Sequence, residues 1–146
     1  MKLSTRSRYG ILAMYDLARS GPSEPQPIKA IAERQDISEA YLEQLIGPLR
    51  RSGLVRSVRG AQGGYMLARP PEEITVGQVI RSLEGELNLV DCLSEEEACG
   101  RSCSCATRVV WRKLKEGLNQ ILDGITLRDM IDDYERNCSG KDTNTP

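Results

Sequence analysis

Two short helical patterns and a glycine-rich hairpin pattern follow one another within residues 28–71, and this order restricts the fold more than any other feature of the chain. The first helix is predicted by IKAIAERQ. The second is predicted by EAYLEQLIGPLRRSG, with Ser38 as a good N-cap and with Pro48 either kinking the helix or lying in its last turns. The segments LVRSVRG and YMLARPP flank the turn AQGG and predict two antiparallel strands. Two such helices followed by a basic hairpin are typical of a winged helix-turn-helix.

Further helices are predicted on either side of this unit. Ser4 or Thr5 can cap a first helix that runs to about Arg19, and Thr75 can cap another that closes near Gly85. From residue 106 onward, apolar residues recur at alternating spacings of three and four and predict a long helix with a narrow seam. The residues of this seam are Trp111, Leu114, Leu118, Ile121 and Ile125. The segment DMIDDYER predicts a last short helix.

The narrow seam favours a helix that pairs with its copy in a second subunit, and the alternative is a helix packed on its own domain. The expected fold is mainly α with a small β-hairpin, in which a winged helix-turn-helix is joined to a long dimerisation helix. The expected divisions are a winged helix-turn-helix domain at 1–85, a cysteine-rich loop at 86–105, the dimerisation helix with a short C-terminal helix at 106–136, and a disordered tail at 137–146.

The two halves of the chain differ in charge, which suggests that they meet different partners. Residues 1–70 carry eleven Lys and Arg against six Asp and Glu, a net charge of plus 5, and the rest of the chain carries the remaining nine and fifteen, a net charge of minus 6. A basic half is suited to a polyanion such as double-stranded DNA.

The winged-helix pattern predicts which residues meet DNA, because a recognition helix enters the major groove with its first residues at the base edges. Glu43 can accept a hydrogen bond from cytosine and Gln44 can pair with adenine, although either could instead be an ordinary surface residue. Arg59 at the hairpin tip is suited to a narrow minor groove, and the remaining arginines are placed for phosphates. The predicted contacts are Ser38, Tyr41, Glu43, Gln44, Arg50, Arg51, Arg56 and Arg59. A homodimer of such units predicts a pseudo-palindromic operator.

Four of the five cysteines lie within fourteen residues of a chain that has no histidine: Cys92, Cys99, Cys103 and Cys105. No apolar run is long enough to cross a bilayer and no signal-type stretch is complete, so the chain is expected to be cytoplasmic. In that reducing compartment, clustered thiols more often bind metal or sense redox state than form structural disulfides. The spacing C-x6-C-x3-C-x-C is neither that of structural zinc nor that of a ferredoxin. An iron-sulfur cluster of [2Fe-2S] or [4Fe-4S] type, zinc, and a cofactor-free redox switch therefore all stay open, while Cys138 is expected to be an incidental thiol.

Several segments resemble a known superfamily, and together they cover roughly residues 1–135. They are STRSRYGILAMYDLA, SEAYLEQLIGPLRRSGLVRSVRGAQGGYMLARP, ITVGQVIRSLEG, the cysteine segment, VVWRKL and ITLRDMI. The combination of YLEQL with SVRGxxGGY is highly specific to the winged-helix transcriptional regulators that include IscR, NsrR and CymR, and the chain resembles the IscR branch most. The resemblance implies a homodimeric transcription factor in which Glu43 and Arg59 contact DNA.

The same resemblance implies ligands for a [2Fe-2S] cluster, which three cysteines hold in the IscR branch. The fourth ligand in that branch is a histidine three residues after the last cysteine, and Arg108 occupies this position here. A guanidinium stays protonated and has no lone pair to offer iron. The matching cysteines are Cys92, Cys99 and Cys105. The candidates for the fourth ligand are Cys103, a carboxylate such as Asp91 or Glu97, water, or a group outside the segment.

The expected function is that of a homodimeric DNA-binding repressor that senses iron-sulfur cluster or redox status through a cysteine-ligated [2Fe-2S] cluster. One alternative is a cluster-free repressor of cysteine or sulfur metabolism, controlled by thiol oxidation or by a partner protein. Another is an adaptor whose degenerate wing leaves only dimerisation. An enzyme is not expected, because the chain has no histidine, no nucleophile elbow and no phosphate-binding glycine loop leading into a helix.

Overall fold

The computed structural model describes residues 3–90, 93 and 105–139, and it confirms a mainly helical fold with one β-hairpin. Three of the predicted cluster ligands lie outside the described residues: Cys92, Cys99 and Cys103. The elements are α1 (Thr5–Arg19), α2 (Ile28–Gln35), α3 (Glu39–Arg51), β1 (Val55–Val58), β2 (Gly64–Leu67), α4 (Val76–Glu84), α5 (Arg108–Asp123) and α6 (Leu127–Ser139), and a 3₁₀ turn lies at Pro71–Glu73. Among the described helices, none has the length and apolar composition that crossing a membrane requires.

The helix-turn-helix is closed by local backbone chemistry. Helix α2 ends at Gln35. The next residue, Asp36, adopts the left-handed conformation (φ 52°), and the N–H of Ile37 donates to the carbonyl of Ala32. Helix α3 then begins at the predicted cap, where the Ser38 hydroxyl accepts from the N–H of Tyr41 at 3.2 Å. Pro48 lies in the last turns of α3, which is one of the two positions predicted for it from the sequence. These contacts fix the angle at which α3 leaves α2.

Helix α1 is the centre of the core and packs against α2, α3, α4, α6 and β2. Its fully buried side chains meet the apolar face of α3. The crossing of α1 and α4 is close, because a Cβ at Gly10 would collide with the side chain of Leu83. The buried residues that carry this packing are Ala13, Met14, Leu17, Leu42, Leu45, Leu49, Val79, Leu127 and Ile131. Helix α3, the predicted recognition helix, is therefore packed against the same close-packed core as the other helices.

The wing is a two-stranded antiparallel hairpin in which Val55 pairs with Leu67 and Val58 pairs with Gly64. Both strands are shorter than the sequence patterns, and residues 59–63 form the connecting loop. A further bridge joins Tyr65 to Gln26 in the α1–α2 connection, with N–H to C=O distances of 2.8 Å in both directions. Strand β2 is therefore hydrogen-bonded, near the loop end of the wing, to the connection that leads into α2.

The C-terminal region differs from the sequence prediction in two ways. The seam does not continue through Ile125, because α5 ends at Asp123 and the Ile125 carbonyl instead accepts from the N–H of Val76 at 2.8 Å. The last helix starts earlier and ends later than DMIDDYER, and it includes residues 137–139 of the segment predicted as a tail. Its early start has a local cause: the Thr126 and Asp129 side chains each accept from the other residue's backbone N–H, as in a capping box.

Candidate functional site

The exposed face of α3 carries the residues predicted to read bases. Glu43 and Gln44 are exposed, while their neighbours Leu42 and Leu45 are fully buried against the core. Among the described residues, neither polar side chain takes part in an ion pair or side-chain hydrogen bond. Both are held on a rigid helix with their polar atoms available to an external partner.

Tyr41 has a packing role as well as its predicted place at the interface. Its half-buried ring meets the ring of Tyr9 edge to face, with centroids 5.9 Å apart and planes at 86°. The guanidinium of Arg8 lies 6.0 Å from the centroid of the Tyr9 ring. This stack brings the start of α1 beside the start of the recognition helix.

Arg6 and Arg8 are exposed residues near the start of α1 that the sequence prediction did not include. The first turn of α1 carries no acidic residue. The Glu84 carboxylate accepts from the Ser7 hydroxyl at 2.8 Å at this end of α1, but among the described residues neither Arg6 nor Arg8 forms an ion pair, so both guanidinium groups are suited to phosphates. The signal was present in the sequence as TRSRY at the start of the predicted first helix, but only the fold brings it near α3.

The four remaining predicted arginines fall at three different places. Arg50 and Arg51 lie in the last turn of α3, where they also complement the negative end of the helix. Arg59 is exposed in the loop that begins directly after β1. Arg56 lies within β1 opposite Met66 and lines a cavity shared with α6. The structure therefore separates Arg56 from the hairpin tip.

An ion pair between the buried Asp16 and the partly exposed Arg34 fixes α2 to α1. The Asp16 carboxylate is buried and accepts from Arg34 Nη2 at 2.6 Å, from Arg34 Nε at 2.9 Å and from Gln35 Nε2 at 2.8 Å. Hydrogen bonding to Asp16 raises the pKa of Arg34 above its usual value. One basic residue of the N-terminal half therefore has a structural partner within the protein.

Cys105 is the one predicted cluster ligand within the described residues, and it lies just before α5. Its Sγ is 3.2 Å from the hydroxyl oxygen of Thr107. Hydrogen bonding from that hydroxyl, followed by the backbone N–H groups of Arg108 and Thr107, lowers the pKa of the Cys105 thiol. A thiol that ionises readily fits both metal ligation and oxidation. In the described part of the chain, no group of three or more metal-binding side chains comes together.

Helix α5 has an apolar face that the described part of the chain leaves exposed. Leu114 is 52% exposed, Ile121 is 63% exposed, and no residue of α5 is buried. Val109 and Val110 extend the exposed apolar surface toward Cys105. A helix packed only on its own domain would bury such a face, so the exposure favours a partner over the alternative weighed from the sequence.

Comparisons with known proteins agree with this arrangement. A family model described as "Rrf2: Iron-dependent Transcriptional regulator" matches residues 3–133. The HTH-type transcriptional regulator CymR of Bacillus subtilis (strain 168) is 43% identical over 89% of this chain and 89% of its own length. The HTH-type transcriptional regulator IscR of Aliivibrio salmonicida is 42% identical over 92% of this chain and 80% of its own length. The solved structure of T. potens IscR is 48% identical and superposes with a TM-score of 0.77, covering 94% of this chain and 90% of that one.

Proposed function

Because the chain belongs to the Rrf2 family of transcriptional regulators, we propose that it is a homodimeric repressor whose DNA binding responds to a cysteine-ligated [2Fe-2S] cluster. Membership of the family makes it a DNA-binding regulator and not an enzyme. The observation that carries the proposal is the position of Cys105. It is the last thiol of the cysteine segment, its pKa is lowered, and it directly precedes the helix with the uncovered apolar face.

In the proposed DNA complex, Glu43 and Gln44 read base edges in the major groove, with Ser38 and Tyr41 at the start of the same helix. Arg59 enters the adjacent minor groove from the hairpin loop. The exposure of the polar groups on α3, a helix whose apolar face is buried in the core, supports this proposal. The phosphate contacts proposed are Arg50, Arg51 and Arg56, together with the newly found Arg6 and Arg8.

Dimerisation through α5 would set the distance between the two recognition helices. The proposed interface is the exposed face that includes Leu114 and Ile121. Two copies related by a two-fold axis would present α3 twice along the duplex, which requires a pseudo-palindromic operator.

The proposed cluster ligands are Cys92, Cys99 and Cys105, with Cys103 as the proposed fourth. Arg108, in the position of the family's histidine, cannot replace it, because guanidinium has no lone pair to donate. When bound, the cluster supplies a redox-active centre whose state or loss can be read by the protein. The contribution of this chain's own residues is to hold an ionised sulfur at the start of α5 through Thr107 and the first backbone N–H groups of the helix.

A second candidate function is cluster-free control by thiol oxidation or by a partner protein, in a repressor of cysteine or sulfur metabolism. Two observations favour it. The B. subtilis CymR relative is as similar to the chain as the A. salmonicida IscR relative. The lowered pKa of Cys105 also favours oxidation of the sulfur as much as ligation.

The two candidates are separated by purifying the full chain without oxygen and measuring iron, acid-labile sulfide and the visible spectrum. We expect about two iron and two sulfide per chain for a [2Fe-2S] cluster, as the cluster's formula requires. Cys105→Ser should abolish the visible absorption, and Cys138→Ser, which changes an exposed thiol on α6, is the matched control. Absence of iron and sulfide from anaerobic material would exclude the cluster and favour the second candidate.

DNA binding is tested with a duplex selected from a random library, using cluster-loaded and cluster-free protein at one fixed salt concentration. Salt must be fixed because counterion release alone changes affinity by orders of magnitude. Glu43→Ala should relax base preference, whereas Arg59→Ala should weaken binding. Equal affinities of the two forms for every selected duplex would reject cluster sensing, and undiminished binding by Arg59→Ala would favour an adaptor with a degenerate wing.

A further inference from the structure

We propose that a cavity between the end of α1, the base of the hairpin and α6 is a binding site for a small organic anion that carries a carboxylate or phosphate group. The cavity has a volume of about 790 Å³, within the range typical of small-molecule sites. Its charged lining residues are Arg19, Arg56, Arg69, Arg128, Glu72 and Glu135. Four guanidinium groups against two carboxylates leave an excess of two positive charges.

Two of the four guanidinium groups are already held in place by the protein. Arg19 lies over the rings of Tyr15 and Tyr134, at 5.8 and 5.3 Å from their centroids. Arg128 is paired with Asp132 at 3.1 Å along α6. These contacts reduce the side-chain entropy that a ligand would have to overcome.

The other two guanidinium groups have no internal anion. Among the described residues, no ion pair or side-chain hydrogen bond involves Arg56 or Arg69. Arg69 is half-buried, so its charge is partly removed from water without a partner. A guanidinium fork matches the two oxygens of a carboxylate or phosphate. The nearby Leu67 and the buried Ile131 give the cavity an apolar wall for the carbon skeleton of such a ligand.

The composition of the cavity favours a small anion over the phosphates of a duplex. Glu72 and Glu135 line the same space and oppose each negative charge brought into it, so a duplex with one charge about every 1.7 Å of its axis is disfavoured more than a ligand with one or two charges. Each carboxylate can instead accept a hydrogen bond from a ligand hydroxyl or ammonium group. The cavity also lies at the base of the hairpin and not at the loop that carries Arg59.

A ligand in this cavity would touch both the hairpin and the C-terminal helix α6. Arg56 and Arg69 belong to the hairpin and its exit, whereas Arg128 belongs to α6. Helix α6 follows α5 after residues 124–126. A bound anion would therefore fix the hairpin relative to the C-terminal helices. It would change the affinity for DNA to the extent that it binds this fixed arrangement more tightly than the arrangement found without it. This regulatory effect rests on the proposed DNA binding, but the binding of the anion does not.

The binding is tested on the full chain without DNA, by calorimetric titration with succinate and, separately, with inorganic phosphate, at an ionic strength held constant with chloride. We expect saturable binding of at least one of the two anions. Arg69→Gln and Arg128→Gln should each weaken it roughly tenfold, the effect of losing one charge-assisted hydrogen bond. Arg136→Gln removes the same charge from α6 outside the cavity and should leave binding unchanged. Succinate without phosphate would indicate a carboxylate ligand, and the reverse a phosphorylated one.

The proposal is overturned if neither anion binds more tightly than chloride, or if Arg136→Gln weakens binding as much as Arg69→Gln. A second titration adds a duplex of unrelated sequence. Arg56 is shared with the proposed DNA contacts, so displacement of the anion by the duplex is read together with Arg69→Gln. If the duplex displaces the anion at low salt and Arg69→Gln weakens duplex binding as much as anion binding, the cavity is a site for DNA phosphates and the proposal is wrong. If the chain binds the anion but no duplex at all, the proposed function fails while the site stands.

Discussion

Replacing Gly64 with alanine tests whether the wing is held by its attachment to the helix-turn-helix. Gly64 opens β2 with a φ of +153°, a conformation that residues with a side chain rarely adopt. A Cβ there would collide with the carbonyl group of Gln26 and lie 2.7 Å from the nitrogen of Pro27. The hairpin can avoid the collision only by moving away from the α1–α2 connection. This movement breaks the bridge between Tyr65 of the hairpin and Gln26 of the connection.

The expected loss of stability follows from these contacts. Two backbone hydrogen bonds between Gln26 and Tyr65 would be lost, at about 0.5–1.5 kcal/mol each. The backbone strain adds about 1–3 kcal/mol. We therefore expect Gly64→Ala to lower the free energy of unfolding by roughly 3 kcal/mol, a large share of the 5–15 kcal/mol typical of a domain.

The assay is urea denaturation of Gly64→Ala beside Gly60→Ala. Gly60 lies in the hairpin loop with a φ of +114°, but a Cβ there meets nothing within 4 Å. The control therefore carries the backbone strain without the collision, and it should lose only about 1–2 kcal/mol. Equal losses for the two variants would refute the argument that close backbone approach to Gln26 holds the wing.

Three further perturbations probe the core, the interface and the start of α6. Asp16→Ala should lower the free energy of unfolding, measured by urea denaturation, by about 2–3 kcal/mol. This loss is smaller than that for breaking a fully buried ion pair, because the side chain of the partner Arg34 is 43% exposed. A loss below about 0.5 kcal/mol would contradict this expectation. Ile121→Glu should convert dimer to monomer in sedimentation, whereas Glu116→Lys should not. The Thr126 N–H and hydroxyl lower the pKa of Asp129, so its stabilising effect is present above the unfolded pKa of about 3.9 and is lost as the pH falls through the folded value. The difference in melting temperature between wild type and Asp129→Ala should therefore narrow as the pH drops below about 4, and a constant difference would contradict it.

The sequence predicted those elements whose boundaries depend on local chemistry. Ser38 and Thr75 cap α3 and α4 as expected, since an N-cap needs only the backbone N–H groups two or three residues ahead. The hairpin was predicted for the same reason, because its glycines lie at turn positions. Exposure of Glu43 followed from the period of the apolar residues around it.

Features that depend on distant parts of the chain were not predictable in this way. The apolar period of α5 runs on into Ile125 and hides the break before α6, although Gly124 and the Thr126–Asp129 cap were both present in the sequence. The cavity at the base of the hairpin is lined from α1, the hairpin and α6, three segments whose approach no local pattern indicates. The contact from Arg8 through Tyr9 to Tyr41 is likewise a result of how α1 crosses α3.

The attachment of α5 indicates how a signal at the cysteine segment could reach DNA. The C-terminal end of α5 is fixed to α4, because Arg81 pairs with Asp123 and donates to Asn119 at 3.5 Å. Helix α4 is packed in turn against α1 and α3, and at Gly10 there is no space to shift it. Moving α3 within one protomer would open cavities at about 24 cal/mol per Å³. Cys105 lies at the opposite end of α5 from this attachment, so we expect regulation to alter the pairing of the two α5 helices in the proposed dimer and with it the spacing of the two recognition helices.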